Sequence, residues 1–466
     1  MVHPSKFRVS PRCDRGVSIG PLLSRIRTEI EEHGPITFAR YMQLALYDST
    51  YGFYAKSNHR GSRVDFVTSP EISPLFGYFI AAHALQACND ALNLSGSKPF
   101  LQIVEFGGAR GTLVSQIASF FGFAPPKTES FPRVDVAARL VQELRVAMGV
   151  DVTTDFEVSA VYYCVVDPGL KTESTAEDMF ALDWIPIPGI SPLASSVHVE
   201  FYSTPDYALK KTMPHREVSS YKLVLANEVF DNLPSHLYVK DGIEVRELLV
   251  NIYHDRLVLY APRNSLLDIP EYLMDEVAWR PLSDLPAGLA QAIHPDTACS
   301  LTEKAAIAVV SPNQERLAAL MCEMATSGSA GGVLIFDLSK NPYESPVIAY
   351  SRHQQLLDPF TSPGEIDIMV PVQWKRVLEQ IERRGLKSSP LRKQGEWLEK
   401  RGLGKVLKIL AAACSFWDPS VASPLDELQA RSLLVSAHAL SDPTGLGSFT
   451  VLEASKNVDP LAASSR

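Results

Sequence analysis

An open α/β fold built on parallel strands is predicted by three observations. The stretch Leu101 to Leu113, LQIVEFGGARGTL, reads as a buried strand that ends in an acid and passes through a glycine-rich turn into a helix. Its apolar run of Leu101, Ile103, Val104 and Phe106 suits an inner parallel strand, and Gly107, Gly108 and Gly111 permit close backbone approach to a ligand. Runs of the same kind recur at Val161 to Val166, Val197 to Tyr202, Tyr221 to Ala226 and Gly332 to Asp337. Segments with helical spacing, such as Thr112 to Phe121, follow or separate them. Ligands of such sheets collect beyond the carboxyl ends of the strands.

Ahead of the sheet, Ser18 and Pro21 open a helical pattern in which Leu22, Leu23, Ile26 and Ile30 share a face, closed by Gly34-Pro35. Thr37 caps a short helix through Tyr47. The next loop, up to Gly77, is crowded with aromatics, which argues against disorder and for function. Ser69-Pro70-Glu71 reads as a helix start with Ser69 as cap. Pro125 to Phe156 is mixed and without clear period, and reads as an insertion of about residues 122–160. Leu237 to Val250 is a hairpin turning at Asp241-Gly242, extended by Arg256 to Ala261. Proline-rich surface loops are expected over 262–300, a strand at Ile307 to Val310, and a helix from Pro312 to about Ser327. Tyr350 to Trp374 is loop-rich. Helices at about 373–385, 404–413 and 424–440 and a last strand at Phe449 to Leu452 complete the chain.

Bulk properties narrow the function. At 466 residues the chain holds one elaborated domain or two. With 44 basic and 53 acidic residues its net charge of −9 gives no footprint for nucleic acid or an anionic membrane, and a basic peptide is a more natural partner. The six cysteines, Cys13, Cys88, Cys164, Cys299, Cys322 and Cys414, form no C-x-x-C pair and read as free thiols. No stretch approaches the ~18 apolar residues of a membrane span. Residues 1–17 carry Lys6, Arg8, Arg12 and Arg15 and read either as an organellar transit segment or as a disordered N-terminus in a cytoplasmic protein.

The candidates for chemistry sit at strand ends. Glu105 closes a buried strand and needs a cationic or hydrogen-bonding partner. Asp167, at the tip of the second strand, reads either as a holder of ribose hydroxyls or as the start of an Asp-Pro-Gly turn. Asn227, Glu228 and Asp231 cluster after the strand Tyr221 to Ala226, on the same edge of the sheet. Glu71 reads as a functional acid or as a helix N-terminal acid, and Asp231 as a functional acid or a turn acid. His353 is a ligand, a base or simply a hydrogen-bonded side chain. The dinucleotide fingerprint G-x-G-x-x-G is broken at Ala109, which weakens a dehydrogenase reading.

Four stretches together resemble one family: ITFARYMQLALYDSTYGFY with DFVTSPEISPLFG, IVEFGGARGTL, ANEVFDNLPSH, and LLDPFTSPGEIDI with QGEWLEKRGL. The chain resembles the MidA-like S-adenosylmethionine-dependent methyltransferases, whose mitochondrial members are protein arginine methyltransferases assisting complex I assembly. The resemblance implies a class I methyltransferase Rossmann-like sheet with an N-terminal helical cap and an inserted and C-terminal α+β elaboration. It divides the chain into a leading segment (1–17), the cap (18–98), the core (99–236), an inserted hairpin and loops (237–300), remaining core strands and C-terminal helices (301–455) and a tail (456–466). It implies S-adenosyl-L-methionine bound by Thr68, Ser69, Pro70, Glu105, Gly107, Gly108, Ala109, Gly111, Asp167 and Asn227, with no metal. Glu228, Glu71 and Asp231 would grip the guanidinium of a protein arginine, in the narrowest version one on a complex I core subunit; pairing of two copies is compatible with this.

Against the family motif E-x-G-P-G-x-G-T-L, this chain has Gly108 for proline and Ala109 for the central glycine. An alanine forced to positive φ adds ~1 to 2 kcal/mol of strain, enough to weaken cofactor binding about tenfold. The rival expectation is therefore a relative that keeps the fold as an assembly or interaction scaffold without catalysis.

Overall fold

Side chains of the central strands alternate between two cores, as a parallel sheet covered on both faces requires. In β1 (Phe100–Phe106), Leu101 and Ile103 enter one apolar cluster while Val104 and Phe106 enter another. A computed structural model describes residues 20–55, 67–92, 98–108, 111–126, 134, 136–150, 157–167, 182–202, 219–262, 278–338, 345–352, 354–356, 358–415 and 424–456. The expectations for residues 1–17, Cys13, Ala109 and His353 lie outside the described residues.

Beside β1 stand β2 (Ala160–Val166), β3 (Val197–Tyr202), β4 (Ser220–Asn227), β5 (Ala330–Asp337) and β6 (Thr450–Lys456). Their order across the sheet is β3-β2-β1-β4-β5-β6, parallel except for β6, and three short edge strands bring the described sheet to nine. The order reverses between β1 and β4, which makes the end of that pair the topological switch point where ligands bind. Phe106 lies opposite Val166 on one side and Ala226 on the other, and Asn227 lies opposite Phe336. Gly107, Asp167 and Asn227 thus leave the sheet in one row.

The N-terminal segment is divided between two cores, which differs from a single cap over 18–98. Helices α1 (Pro21–His33) and α2 (Phe38–Tyr47) turn Leu22, Ile26, Ile30, Phe38 and Tyr41 onto a second, antiparallel sheet of six strands. That sheet contains the predicted hairpin, His236–Asp241 with Glu244–Tyr253, and takes Ile36–Thr37 as an edge strand. After the short α3 (Ser69–Ile72), α4 (Pro74–Leu92) is apolar nearly all round and is buried in the main core with Leu101 and Ile103. A helix apolar on every side has to be packed on every side. α5 (Thr112–Phe121) lies beside it.

The loop expectation over 262–300 is corrected, and two further stretches read as irregular carry regular elements. The stretch 122–160 contains α6 (Ala138–Ala147), whose Leu140, Val141 and Leu144 join the main core. Within 262–300 two short helices form, Ala287–Gln291 and Pro295–Ser300. Tyr350 to Trp374 carries strand Asp367–Met369, which pairs with Ile348–Ser351. A helix at Gln394–Lys400 was also not anticipated.

Candidate active site

The glycine turn after β1 is held by steric needs at two positions. Gly107 has φ 74°, and a Cβ there would stand 2.7 Å from Val229 Cγ2. Gly108 has no space for a side chain, since its Cβ would meet Val165 Cγ1 at 2.5 Å and Glu105 Oε2 at 2.9 Å. Gly111 follows in the left-handed region, φ 73°, as the cap residue of α5. Its N–H donates to Gly108 O at 2.8 Å. Gly107→Ala is expected to lower stability by about 1–3 kcal/mol, from backbone strain and the displaced valine, measurable as a lower urea midpoint.

Glu105 is buried under this turn, 4% exposed. Its partner is partly supplied by the protein: Tyr163 Oη donates to Oε2 at 2.7 Å. Burial nevertheless pushes the carboxyl up to about 7, with Asp167 adding to the rise and Tyr163 opposing it. Asp167, at the end of β2, is half-buried, its N–H given to Tyr202 O at 2.9 Å.

Across the switch point, β4 ends at Asn227 and the chain turns sharply. Glu228 has φ 55°, the left-handed region that a non-glycine residue rarely adopts. Its N–H is spent on Phe336 O at 2.9 Å. Its Oε1 accepts from Ser69 N–H at 3.3 Å and from Asn227 Nδ2 at 3.1 Å. Burial raises the Glu228 carboxyl to about 8, with Asp337 and Glu71 adding to the rise and both hydrogen bonds opposing it.

The Ser69-Pro70-Glu71 segment is a meeting point of remote parts. The N-cap of α3 is Thr68, not Ser69. The Ser69 hydroxyl instead donates to Gln394 Oε1 at 3.1 Å, a bond between residues 325 apart in sequence. Pro70 O accepts from Gln116 Nε2 at 2.5 Å, which ties the segment to α5. Glu71 Oε2 accepts Thr68 N–H at 3.3 Å, so the capping reading of Glu71 is realised while its charge still reaches Glu228.

Below Glu228 lies a group of buried acids. Asp231, 3% exposed, sits in the single turn Phe230–Asn232, and its Oδ1 has no hydrogen-bond partner. Burial holds its carboxyl well above the usual range, and Asp337, Asp367 and Glu228 push the same way. Asp337 accepts Phe230 N–H at 2.8 Å and Val229 N–H at 3.1 Å on one oxygen and Leu338 N–H at 2.8 Å on the other. Asp367 Oδ1 accepts from Tyr54 Oη at 3.1 Å and from Asn232 Nδ2 at 2.9 Å. The Tyr47 phenol, donating to Asn232 O at 3.3 Å, is raised by burial and then by Asp367, Asp231 and Asp167.

The structure therefore brings Glu105, Gly107, Gly108, Asp167 and Asn227 to one edge, joins Ser69, Asn227 and Glu228 by hydrogen bonds, and sets Glu71 and Asp231 within electrostatic reach of Glu228. Asp337, Asp367, Tyr47, Tyr54, Gln116 and Gln394 were not among the expected site residues. Some signal existed: Asp337 closes an apolar strand as Glu105 does, and Asp367 and Gln394 lie in stretches that carry the family resemblance.

Comparison with known proteins gives three results. A family described as "Putative S-adenosyl-L-methionine-dependent methyltransferase" matches residues 82–391. The Rattus norvegicus protein named "Protein arginine methyltransferase NDUFAF7, mitochondrial" is 24% identical over 407 residues, 87% of this chain and 79% of that protein. The Danio rerio protein of the same name is 24% identical over 408 residues, 87% and 81% of the two chains. A crystal structure of a Burkholderia thailandensis protein bound to S-adenosyl-homocysteine covers 96% of this chain and 94% of its own, with a TM-score of 0.58 and 20% identity, a likeness of fold.

Proposed function

The chain belongs to the S-adenosyl-L-methionine-dependent methyltransferases, and from that premise we propose that it methylates an arginine side chain of a protein partner. One observation carries the arginine reading. Glu228 and Asp231 lie together just beyond the end of β4, no cationic side chain pairs with either among the described residues, and one oxygen of Asp231 has no hydrogen-bond partner. Acids left uncompensated in a protein interior are costly, and a guanidinium is the natural counter-charge. The relatives named above are called arginine methyltransferases and mitochondrial; we extend both to this chain, with a core subunit of respiratory complex I as the specific partner proposed from the family resemblance.

The residues present fit the cofactor. Asn227 Oδ1 is buried without a partner at the switch point, and an ammonium donor would satisfy it. The half-buried Asp167 carboxylate suits ribose hydroxyls, and the Gly107-Gly108 turn stands in the same row at the switch point. Thr68, Ser69 and Pro70 would close the site from the α3 side, and Glu105 would support the amine end. When bound, the cofactor supplies a sulfonium methyl group open to in-line displacement.

A guanidinium remains charged at neutral pH and is a poor nucleophile. Glu228, largely protonated near neutral pH because its carboxyl is raised to about 8, gives its proton up to solvent as the cation settles against it. The resulting carboxylate orients one nitrogen, helps to localise the positive charge, and takes up the proton that this nitrogen loses when it is methylated. Glu71 adds negative potential around the same point, and Asp231 offers an unpartnered carboxyl oxygen beside it.

Calorimetric titration with S-adenosyl-L-methionine, followed by methyl transfer to arginine and lysine peptides, tests this reading. Micromolar cofactor binding and transfer confined to arginine are the expected results, and Ala109→Gly should tighten binding about tenfold. Transfer to lysine alone, or binding only in the glycine variant, would overturn it, the latter in favour of a scaffold.

A further inference from the structure

We infer that Asp337 is a positioning residue: its carboxylate fastens the turn that holds Glu228 in its gripping geometry. Asp337 is fully buried at the end of β5, beside the end of β4. Its two oxygens accept the N–H groups of Val229, Phe230 and Leu338 at 3.1, 2.8 and 2.8 Å. Two of these three donors are the two residues that follow Glu228. The turn they form is the one in which Glu228 takes φ 55°, a conformation that must be over-determined by its surroundings to persist. Glu228 N–H, bonded to Phe336 O at 2.9 Å, adds a further staple to the same strand.

This arrangement is more than a backbone cap. A neutral turn residue would satisfy the N–H groups but would place no charge there. Asp337 also acts on the Glu228 carboxyl directly, raising it together with Glu71 from α3. Glu228 in turn raises Asp231, the acid of the turn itself, while Ser69 N–H and the Asn227 amide oppose the rise at Glu228. Asp337 thus fixes the turn from which Glu228 points and, after burial, adds to the rise of its carboxyl. The assignment rests on the reading of Glu228 as the group that grips the substrate.

The test is Asp337→Asn in the full chain, with three readouts: calorimetric binding of S-adenosyl-L-methionine, kcat and KM for an arginine peptide, and titration of the Glu228 carboxyl by carbon-13 NMR. The Glu228 signal is identified by its loss in Glu228→Gln. Cofactor affinity within about threefold of the unmodified protein, a kcat at least about tenfold lower with KM little changed, and a Glu228 midpoint moved to lower pH are expected. A folded Asp337→Asn protein whose kcat and Glu228 titration match the unmodified chain overturns the assignment. If Asp337→Asn does not fold, Asp337→Glu carries the test: it keeps the charge, so the Glu228 midpoint should hold while kcat falls, and an unchanged kcat overturns the assignment. Should the unmodified chain bind cofactor yet methylate no arginine peptide, the arginine reading fails, and the NMR midpoint alone decides the role of Asp337.

Discussion

Glu228→Gln is expected to remove methyl transfer, with kcat lower by about 10²- to 10³-fold, while S-adenosyl-L-methionine still binds with its original affinity. The amide keeps the shape of the carboxyl, and its oxygen can accept the same bonds from Ser69 N–H and Asn227 Nδ2. It cannot become an anion. The variant therefore separates gripping a cation from merely closing the site, which few other changes at this edge would do. Glu71→Gln should cost less, because Glu71 is already engaged with Thr68 N–H at 3.3 Å. A Glu228→Gln protein with kcat within about threefold of the unmodified chain would contradict the role given to Glu228.

The second large effect concerns pH and stability. Glu228 is raised to about 8 and Glu105 to about 7, in both cases chiefly by burial. The native state therefore binds more protons than the unfolded chain between the ordinary carboxyl range and these values, and stability falls as pH rises through that window. On the acid side two groups act in the opposite sense. Glu453 is lowered to about 2, His83 and Arg401 outweighing its burial, and burial lowers His83 to about 4. Their contributions are present at neutral pH and lost as pH falls. The ligand-free protein should be most stable near pH 5 to 6 and less so at pH 8, and Glu228→Gln should reduce the alkaline loss by on the order of 1–3 kcal/mol. Thermal unfolding at pH 5.5 and 8 of both proteins measures this; an unmodified chain more stable at pH 8 would contradict it.

How much of this was legible in the sequence depended on whether the cause was local. The strands were readable because a short apolar run is a local feature, and Phe100–Phe106, Ala160–Val166, Val197–Tyr202 and Ser220–Asn227 formed within a residue of where they were expected. The helix Ala138–Ala147 was obscured by Arg145, a cation in its apolar stripe. That guanidinium is buried and gives its N–H groups to Phe120 O and Ser191 O, neither of which is near in sequence. The cap at Ser69 was misplaced by one residue for a similar reason, since its hydroxyl serves Gln394. Asp337 was visible as an acid closing a strand, but only the register of β4 with β5 shows that the ANEVF turn is its neighbour.

The pairing of Ile36–Thr37 with Val250 and Leu249, together with the Tyr41 hydroxyl bonded to Pro359 O across 318 residues, has a consequence for biosynthesis. The first two helices leave the ribosome well before the sheet they pack on exists. At about 5–20 residues per second, the apolar face of Leu22, Ile26, Phe38 and Tyr41 waits roughly ten seconds or more for its partner strands. During that interval the nascent chain presents an amphipathic pair of helices with no core beneath it.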